Sequence, residues 1–277
     1  MARIAIGVAV LLLAGGCTAV QPGTLLDRNG RVIHRELLAQ TQNKDKKVEL
    51  FWTKPAGEGP HPALLFIHGH QEHIRNGGAL YVSSGRLGDM ASRGYVAASL
   101  SQPGYGNSDG PADYCGPYTQ DAAHAAIAFL RAQRFVNADK IALYGYSRGA
   151  IVGAMVATQD PRLAAVVLGG GAYDFSSWYP TPLAGIDANL RREAGTSAEA
   201  FTARSALPLA GKIRAPVLLL HGALDERIPA AQARAFAERL AAAGVPVSLK
   251  IFPGAQHAIP LADQYREINP FLQALLR

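Results

Sequence analysis

The sequence contains 277 residues, of which 49% are hydrophobic and 17% are charged. This composition can build a hydrophobic core and excludes a disordered chain, and the presence of only two cysteines excludes a disulfide-dense scaffold. The formal net charge is +6, but the basic residues are scattered, and the longest basic run, residues 44–47, is interrupted by Asp45. We therefore expect that run to be a solvated turn and predict no nucleic-acid partner.

The first segment of the chain is typical of an exported protein. Arg3 precedes an apolar run over residues 4–13, as in a secretory signal peptide, and this run is too short to span a membrane. The segment LAGGC at residues 13–17 resembles the lipobox of bacterial lipoproteins. We predict a signal peptide over residues 1–16, a lipid anchor at Cys17 and a position in the bacterial cell envelope facing the periplasm. An ordinary cleaved signal is the alternative, and the choice of inner or outer membrane stays open.

The rest of the chain alternates between strand and helix patterns. Residues 17–30 are predicted to be a tether, and residues 31–277 a single domain. Predicted strands cover residues 31–39, 47–54, 63–67, 95–100, 140–145, 164–168, 216–221 and 247–252, and predicted helices cover residues 81–92, 119–133, 148–157, 230–243 and 262–276. Strands separated by helices predict an α/β fold with a mostly parallel sheet, and the two adjacent strands at the start predict an antiparallel beginning.

One serine lies where a strand meets a helix. The segment GYSRG at residues 145–149 follows an apolar strand pattern and precedes a helix pattern. Glycines on both sides allow a tight turn that exposes Ser147, and the following helix begins with the Arg148 amide at its N-terminus. An ordinary serine in a glycine-tolerant turn is the alternative. The position of the motif favours a nucleophile.

A serine nucleophile needs a base and a carboxylate that orients the base. His257 follows the last predicted strand, and Asp225 follows the preceding one. Because loops after parallel strands emerge at one edge of a sheet, these side chains can meet Ser147 there. Glu226 is the alternative to Asp225, but its neighbouring position points it elsewhere. The order Ser147, Asp225, His257 is the order of α/β-hydrolases.

These motifs resemble those of the α/β-hydrolase superfamily, and most of all its dienelactone-hydrolase and prolyl-oligopeptidase-like branch. The resemblance extends over residues 48–276 and includes HG at 68–69, GYSRG, HGALD at 221–225 and GAQH at 254–257. Dienelactone hydrolases proper use cysteine where this chain has Ser147. Prolyl oligopeptidases carry an N-terminal β-propeller, for which these residues leave no room. The resemblance therefore favours an esterase over a peptidase.

The resemblance also implies an oxyanion hole, a cap and a substrate pocket. The residue after the HG pair usually donates its amide, so His70 is assigned together with Arg148, and Gln71 is the alternative to His70. A cap is expected between Gly171 and Arg214. The predicted pocket side chains are Gln71, Tyr146, Tyr173 and Trp178, although the cap aromatics would equally well pack the cap onto the sheet. A metal site at His68, His70 and His73 is disfavoured because no carboxylate cluster accompanies them.

We predict a serine hydrolase that cleaves carboxylic esters through an acyl-enzyme on Ser147 and uses neither a metal nor another cofactor. Its partner would be a small ester or short peptide, and the oligomeric state is left open. One alternative is a short-peptide or amide hydrolase of the prolyl-oligopeptidase type. The other alternative is a non-catalytic envelope lipoprotein on a hydrolase fold, which an intact set of three catalytic side chains disfavours.

Overall fold

The structure is a computed structural model that describes residues 23–181 and 183–277. The expected signal peptide over residues 1–16 and the lipid anchor at Cys17 lie outside the described residues, so both stay predictions. In the part of the chain that is described, no helix is both long enough and apolar enough to cross a membrane.

The described residues form a sheet of nine strands. In chain order the strands are β1 Thr24–Leu26, β2 Val32–Ala39, β3 Lys47–Thr53, β4 His61–Ile67, β5 Val96–Leu100, β6 Val136–Tyr146, β7 Ala165–Gly169, β8 Val217–Gly222 and β9 Val247–Phe252. Their order across the sheet is β1-β2-β3-β5-β4-β6-β7-β8-β9. The pairs β1–β2, β2–β3 and β3–β5 are antiparallel, and all the other pairs are parallel. The expected α/β-hydrolase architecture is confirmed.

Helices cover both faces of the sheet. In chain order they are α1 Ala79–Ser83, α2 Arg86–Ser92, α3 Pro117–Arg131, α4 Arg148–Gln159, α5 Phe175–Trp178, α6 Ala184–Glu193, α7 Ala198–Thr202, a 3-10 helix Leu207–Lys212, α8 Ala231–Ala242 and α9 Leu261–Leu276. Helices α3, α4 and α8 pack on one face, and α1, α2 and α9 pack on the other. The sheet is therefore the middle layer of three.

The central strands show why a continuous apolar run becomes a strand here. In β4, Ala63, Leu65 and Ile67 face one hydrophobic cluster, while Leu64 and Phe66 face the other. Successive side chains of a strand point to opposite faces, so a sheet covered on both sides needs apolar residues at every position. The same requirement accounts for the apolar sequences of β7 and β8.

The register of the parallel strands brings the functional loops to one edge. Gly145 pairs with Ile67, Gly169 with Leu220, and Gly222 with Phe252, so these strands end together. The loops after β4, β6, β8 and β9 consequently leave the sheet side by side. These loops carry all the residues predicted for the triad and the oxyanion hole.

Two local expectations differ from the structure. The predicted helix over residues 81–92 is two helices, because Gly85 adopts a left-handed backbone with φ of 77° between α1 and α2. The predicted tether over residues 17–30 includes β1, which pairs with β2 and so extends the sheet. The segment between Gly171 and Arg214, where a cap is expected, contains α5, α6, α7 and the 3-10 helix.

Candidate active site

Ser147 occupies a strained turn between β6 and α4. Its backbone has φ of 56° and ψ of −121°, a conformation that side-chain-bearing residues rarely adopt. Glycines make the turn possible: a Cβ on Gly149 would overlap the carbonyl oxygen of Ile67, and a Cβ on Gly69 would lie 3.3 Å from that of Ser147. The turn therefore presses the serine against the end of β4 and exposes its hydroxyl.

The structure brings the three predicted side chains into one hydrogen-bonded series. The Oγ atom of Ser147 lies 3.0 Å from Nε2 of His257, and Nδ1 of His257 lies 2.8 Å from Oδ2 of Asp225. The Asp225 side chain is fully buried, while the His257 side chain is 14% exposed. The imidazole is thus placed to take the serine proton through Nε2. The carboxylate accepts a hydrogen bond from Nδ1–H and so favours the tautomer in which Nε2 is unprotonated.

The Asp225 carboxylate receives hydrogen bonds on both oxygens. The amides of Arg227 and Ile228 donate to Oδ1 at 2.9 and 3.0 Å, and His257 and His221 approach Oδ2. Burial by itself would raise the pKa of the Asp225 carboxyl, but the hydrogen bonds from His221, His257 and Ile228 together lower it well below its ordinary value. The carboxylate is consequently charged at neutral pH.

His221 is a neighbour of the carboxylate to which the sequence assigned no role. Its imidazole is fully buried, with Nε2 2.8 Å from the Ile228 carbonyl oxygen and 3.2 Å from Oδ2 of Asp225. Both neighbours accept hydrogen bonds, so Nε2 carries the proton. The signal was present in the HGALD motif, since four residues separate His221 from Asp225, but only the structure shows that the chain turns back between them.

Tyr146 holds the loop that carries His257. Its hydroxyl donates to the His257 carbonyl oxygen at 2.6 Å and accepts from the Ile259 amide at 3.0 Å. The sequence placed Tyr146 in the substrate pocket, and this prediction is wrong because these two hydrogen bonds turn the side chain toward the histidine loop. Tyr146 therefore positions the loop of the catalytic base, His257, and does not line the cavity beside Ser147.

Only one of the other predicted pocket side chains lines the cavity beside the serine, namely Trp178. Gln71 instead hydrogen-bonds the amide and carbonyl of Gly77, at 2.8 and 3.0 Å, and thereby folds its own loop. Tyr173 is 1% exposed and stacks on Phe236 with ring centroids 4.4 Å apart, so it packs the cap onto α8. The pocket predictions for Gln71 and Tyr173 are therefore wrong. The Gln71 side chain is engaged in hydrogen bonds within its own loop, and the Tyr173 side chain is packed in the core.

The two residues predicted for the oxyanion hole, His70 and Arg148, line the cavity beside Ser147. Arg148 is the first residue of α4, so its N–H has no acceptor within the helix. His70 follows β4 and lines the same cavity as Ser147. Burial, with the nearby Arg148 cation, lowers the pKa of His70 to about 4, so its imidazole is neutral at neutral pH. Among the described residues no group of three or more histidine, cysteine, aspartate or glutamate side chains is arranged to hold a metal ion.

A buried ion pair links the serine turn to the cap. The Arg148 guanidinium lies 2.7 Å from Glu193 on α6, and their side chains are 7% and 5% exposed. Arg148 also lies over the Tyr114 ring at 3.9 Å and 3.5 Å from the Tyr105 hydroxyl, which hydrogen-bonds His70 at 3.1 Å. One network therefore includes both residues predicted for the oxyanion hole, His70 and Arg148.

The buried His68 side chain stabilises the loop after β4, which also carries His70. It accepts a hydrogen bond from the Gln102 amide through Nε2 at 3.0 Å and donates through Nδ1 to the Gly69 carbonyl oxygen at 2.7 Å. Complete burial lowers the pKa of His68 from 6.5 to about 4, although the hydrogen bond to Gly69 opposes this effect. The imidazole is neutral in the folded protein at neutral pH.

We predict that the free energy of unfolding falls as the pH drops from 7 to 4. Between pH 6.5 and about 4 the unfolded chain protonates His68 but the folded protein does not, so acid favours unfolding by up to about 3 kcal/mol. Urea unfolding followed by circular dichroism at several pH values measures this slope. His68→Gln should flatten it, and a comparison at pH 8 isolates the cost of the substitution itself. Equal slopes for the two proteins would contradict the prediction.

The comparison with known families agrees with this geometry. A profile described as the prolyl oligopeptidase family matches residues 89–276, more than half of the chain. The chain belongs to the prolyl oligopeptidase family. This family of serine hydrolases falls within the branch of α/β-hydrolases that the sequence motifs resemble. The match includes the segments that carry Ser147, Asp225 and His257.

Several curated relatives are named as peptidases. The uncharacterized peptidase YtmA of Bacillus subtilis is 27% identical over 244 residues, which are 82% of this chain and 88% of YtmA. Mouse dipeptidyl peptidase 8 is 26% identical over 221 residues, which are 76% of this chain but 24% of the mouse protein. The chain thus spans most of the length of YtmA and only about a quarter of dipeptidyl peptidase 8.

Solved structures share the fold. A puromycin-hydrolyzing peptidase of Mycobacterium tuberculosis superposes with a TM-score of 0.78 and 22% identity over 89% of this chain and 40% of that one. An acetyl xylan esterase from Paenibacillus sp. R4 gives a TM-score of 0.72 and 18% identity over 92% of this chain and 88% of that one. A peptidase and an esterase therefore share this fold.

Proposed function

We propose that this protein is a serine hydrolase that cleaves the amide bonds of short peptides or of similarly small acyl compounds. The observation that carries the proposal is the hydrogen-bonded series from Ser147 through His257 to Asp225 in a chain of the prolyl oligopeptidase family. The relatives named above are peptidases, so they favour peptide hydrolysis over the ester hydrolysis that the sequence alone favoured.

The mechanism follows from the positions of these groups. Ser147 attacks the substrate carbonyl carbon while His257 Nε2 takes the hydroxyl proton, and the Asp225 carboxylate stabilises the resulting imidazolium. The amides of His70 and Arg148 stabilise the negative oxygen of the tetrahedral intermediate. His257 then protonates the leaving amine, and the acyl group stays on the serine. A water molecule, activated by the same imidazole, releases the acyl group and restores Ser147.

Ester hydrolysis is the second candidate. Its specific support is the acetyl xylan esterase structure, because this chain covers 88% of that protein as well as 92% of its own length. Ester hydrolysis needs no additional catalytic group, since an alcohol leaves the first tetrahedral intermediate more readily than an amine does. The non-catalytic alternative has the least support, because each of the three side chains lies within hydrogen-bonding distance of the next.

A matched pair of substrates separates the two candidates. N-acetyl-alanine p-nitroanilide and N-acetyl-alanine p-nitrophenyl ester share the acyl group and differ in the bond that breaks. We expect purified protein to release p-nitroaniline as well as p-nitrophenol, with both activities abolished by one fluorophosphonate. Hydrolysis of the ester without any of the anilide would assign an esterase and overturn the peptidase proposal. Hydrolysis of neither would favour a non-catalytic protein.

A further inference from the structure

His221 is a buried histidine that the mechanism above does not use. Its imidazole is fully buried near the end of β8, where the backbone pairs with Ile251 of β9. Nδ1 is buried and has no hydrogen-bond partner among the described residues. An apolar side chain of similar size would avoid the cost of burying this unpaired nitrogen, and it would lose only the contacts of Nε2. The contacts of Nε2 are therefore what the histidine adds to the site.

The Nε2–H group of His221 fastens the turn that carries the catalytic carboxylate. It donates to the Ile228 carbonyl oxygen at 2.8 Å, and the Ile228 amide donates to Oδ1 of Asp225 at 3.0 Å. The Arg227 amide donates to the same oxygen at 2.9 Å. The two amides hold the carboxylate in place through Oδ1, so Oδ2 is the oxygen that faces the two histidines, His221 and His257.

The two histidines share this second oxygen. Oδ2 of Asp225 accepts Nδ1–H of His257 at 2.8 Å, and Nε2 of His221 lies 3.2 Å from it. Burial raises the pKa of the Asp225 carboxyl, and among the interactions that lower this pKa the contact with His221 is the largest. Loss of the contact would leave a more basic carboxylate, which attracts a protonated His257 more strongly.

The other charged and titratable side chains that face the His257 imidazole come from several elements. They are Asp225 from the loop after β8, Tyr146 from β6 and, around the cavity, His70, Tyr114, Arg148 and Arg227. His221 does not line the cavity beside Ser147 and contacts Oδ2 of Asp225 from β8. Exchange of His221 for an uncharged side chain therefore leaves all these groups in place.

We infer that His221 is a positioning residue that acts through Asp225: by sharing Oδ2 it keeps His257 in the unprotonated form that accepts the serine proton. The inference rests on the proposed function, because it concerns the base of that reaction. The role requires the neutral imidazole with its proton on Nε2, which agrees with the two acceptors beside this nitrogen.

The pH dependence of hydrolysis tests this role. His221→Met removes the N–H group with little change in side-chain length. The acid limb of kcat/KM reports protonation of the base in the free enzyme, and we expect it to move to higher pH by about half a unit or more. At pH 8.5, above the limb, kcat/KM should stay within about threefold of the wild-type value. The assay is hydrolysis of N-acetyl-alanine p-nitrophenyl ester between pH 5.5 and 9, corrected for the spontaneous rate.

His221→Gln is the matched control. Glutamine is nearly as long as methionine, but its amide nitrogen can take the position of Nε2 and donate to the same two acceptors. Neither side chain titrates, so a difference between the two variants does not come from ionisation at this position. The acid limb of His221→Gln should lie within about 0.2 units of the wild-type limb. Circular dichroism over the same pH range verifies the fold of both variants.

A measurement on the wild-type protein tests the inference without a substitution at this position. Nitrogen resonances of ¹⁵N-labelled histidine show which ring nitrogen carries a proton, and comparison with His221→Gln assigns the His221 signals. We expect a proton on Nε2 and none on Nδ1 throughout the pH range of the assay. If His221→Gln does not fold, two-dimensional spectra that connect the ring nitrogens to the ring protons assign the signals instead. A proton on Nδ1 would overturn the inference even if His221→Met does not fold.

The outcomes distinguish this inference from the proposed function. An acid limb that stays in place or moves to lower pH in folded His221→Met, an equal shift in His221→Gln, or loss of activity at pH 8.5 in folded His221→Met would overturn the inference alone. Undiminished hydrolysis by Ser147→Ala, or no hydrolysis by the wild-type protein, would overturn the proposed function and the inference with it.

Discussion

Ser147→Ala is expected to lower kcat by about 10⁴–10⁶-fold, because the alcohol oxygen that forms the acyl-enzyme is lost while the remaining groups provide only weak catalysis. The assay is p-nitrophenyl acetate hydrolysis at saturating substrate, together with fluorophosphonate labelling detected by mass spectrometry. Labelling should disappear in the variant. Loss of less than tenfold would mean that another group is the nucleophile.

Two further serine variants separate the chemistry from the fold. Ser83→Ala removes an exposed hydroxyl on α1 that donates to the Leu80 carbonyl oxygen of the same helix, so the variant should retain full activity and labelling. Ser147→Gly should lose activity like Ser147→Ala but should be more stable than it by about 1 kcal/mol, because glycine adopts φ of 56° without strain. A glycine variant less stable than the alanine variant would show that the turn is not strained.

Glu193→Ala is expected to reduce the free energy of unfolding by about 3–5 kcal/mol. The substitution leaves the Arg148 guanidinium buried, with a side chain 7% exposed, and deprives it of its counter-ion. Replacing both partners, as in Arg148→Met combined with Glu193→Leu, removes the buried charges together and should recover most of the lost stability. Urea unfolding of the single and double variants measures the difference.

An exposed ion pair on the same helix provides the control. Arg191 and Asp187 are separated by 2.7 Å on α6, but the Arg191 side chain is 57% exposed. Solvent screens such pairs, so Asp187→Asn should cost less than about 1 kcal/mol. A loss for Glu193→Ala as small as that for Asp187→Asn would refute the view that Arg148 depends on Glu193 for its burial.

The strands of the central sheet are the part of the fold that the sequence predicts best. Buried parallel strands need apolar residues at every position, and this need produces continuous runs such as the one in β4 and the one in β8. The split at Gly85 and the pairing of Thr24–Leu26 with β2 escaped prediction. A helix pattern continues across a single glycine, and three residues carry too little pattern to define an edge strand.

The side chains that line the cavity beside Ser147 are harder to predict from sequence than the strands. Tyr146 is the residue before the serine and Tyr173 lies in the expected cap, and the sequence alone reveals no more about where their side chains point. In the folded protein the Tyr146 hydroxyl bonds the His257 loop and Tyr173 stacks on Phe236, whereas Ile186 and Asn189 from α6 form the cavity wall. Which side chains line a cavity depends on how a cap docks, and the cap meets the sheet through residues distant along the chain.

By itself the sequence determined which residues stand at the ends of the parallel strands, and hence that Ser147, Asp225 and His257 share one edge of the sheet. It did so because strand patterns and glycine turns are local properties. Only the tertiary structure decided that His221 contacts Asp225, that Glu193 neutralises Arg148, and that about 50 Å³ remains beside the nucleophile. These features are distances between separate elements, and packing of the whole domain sets them.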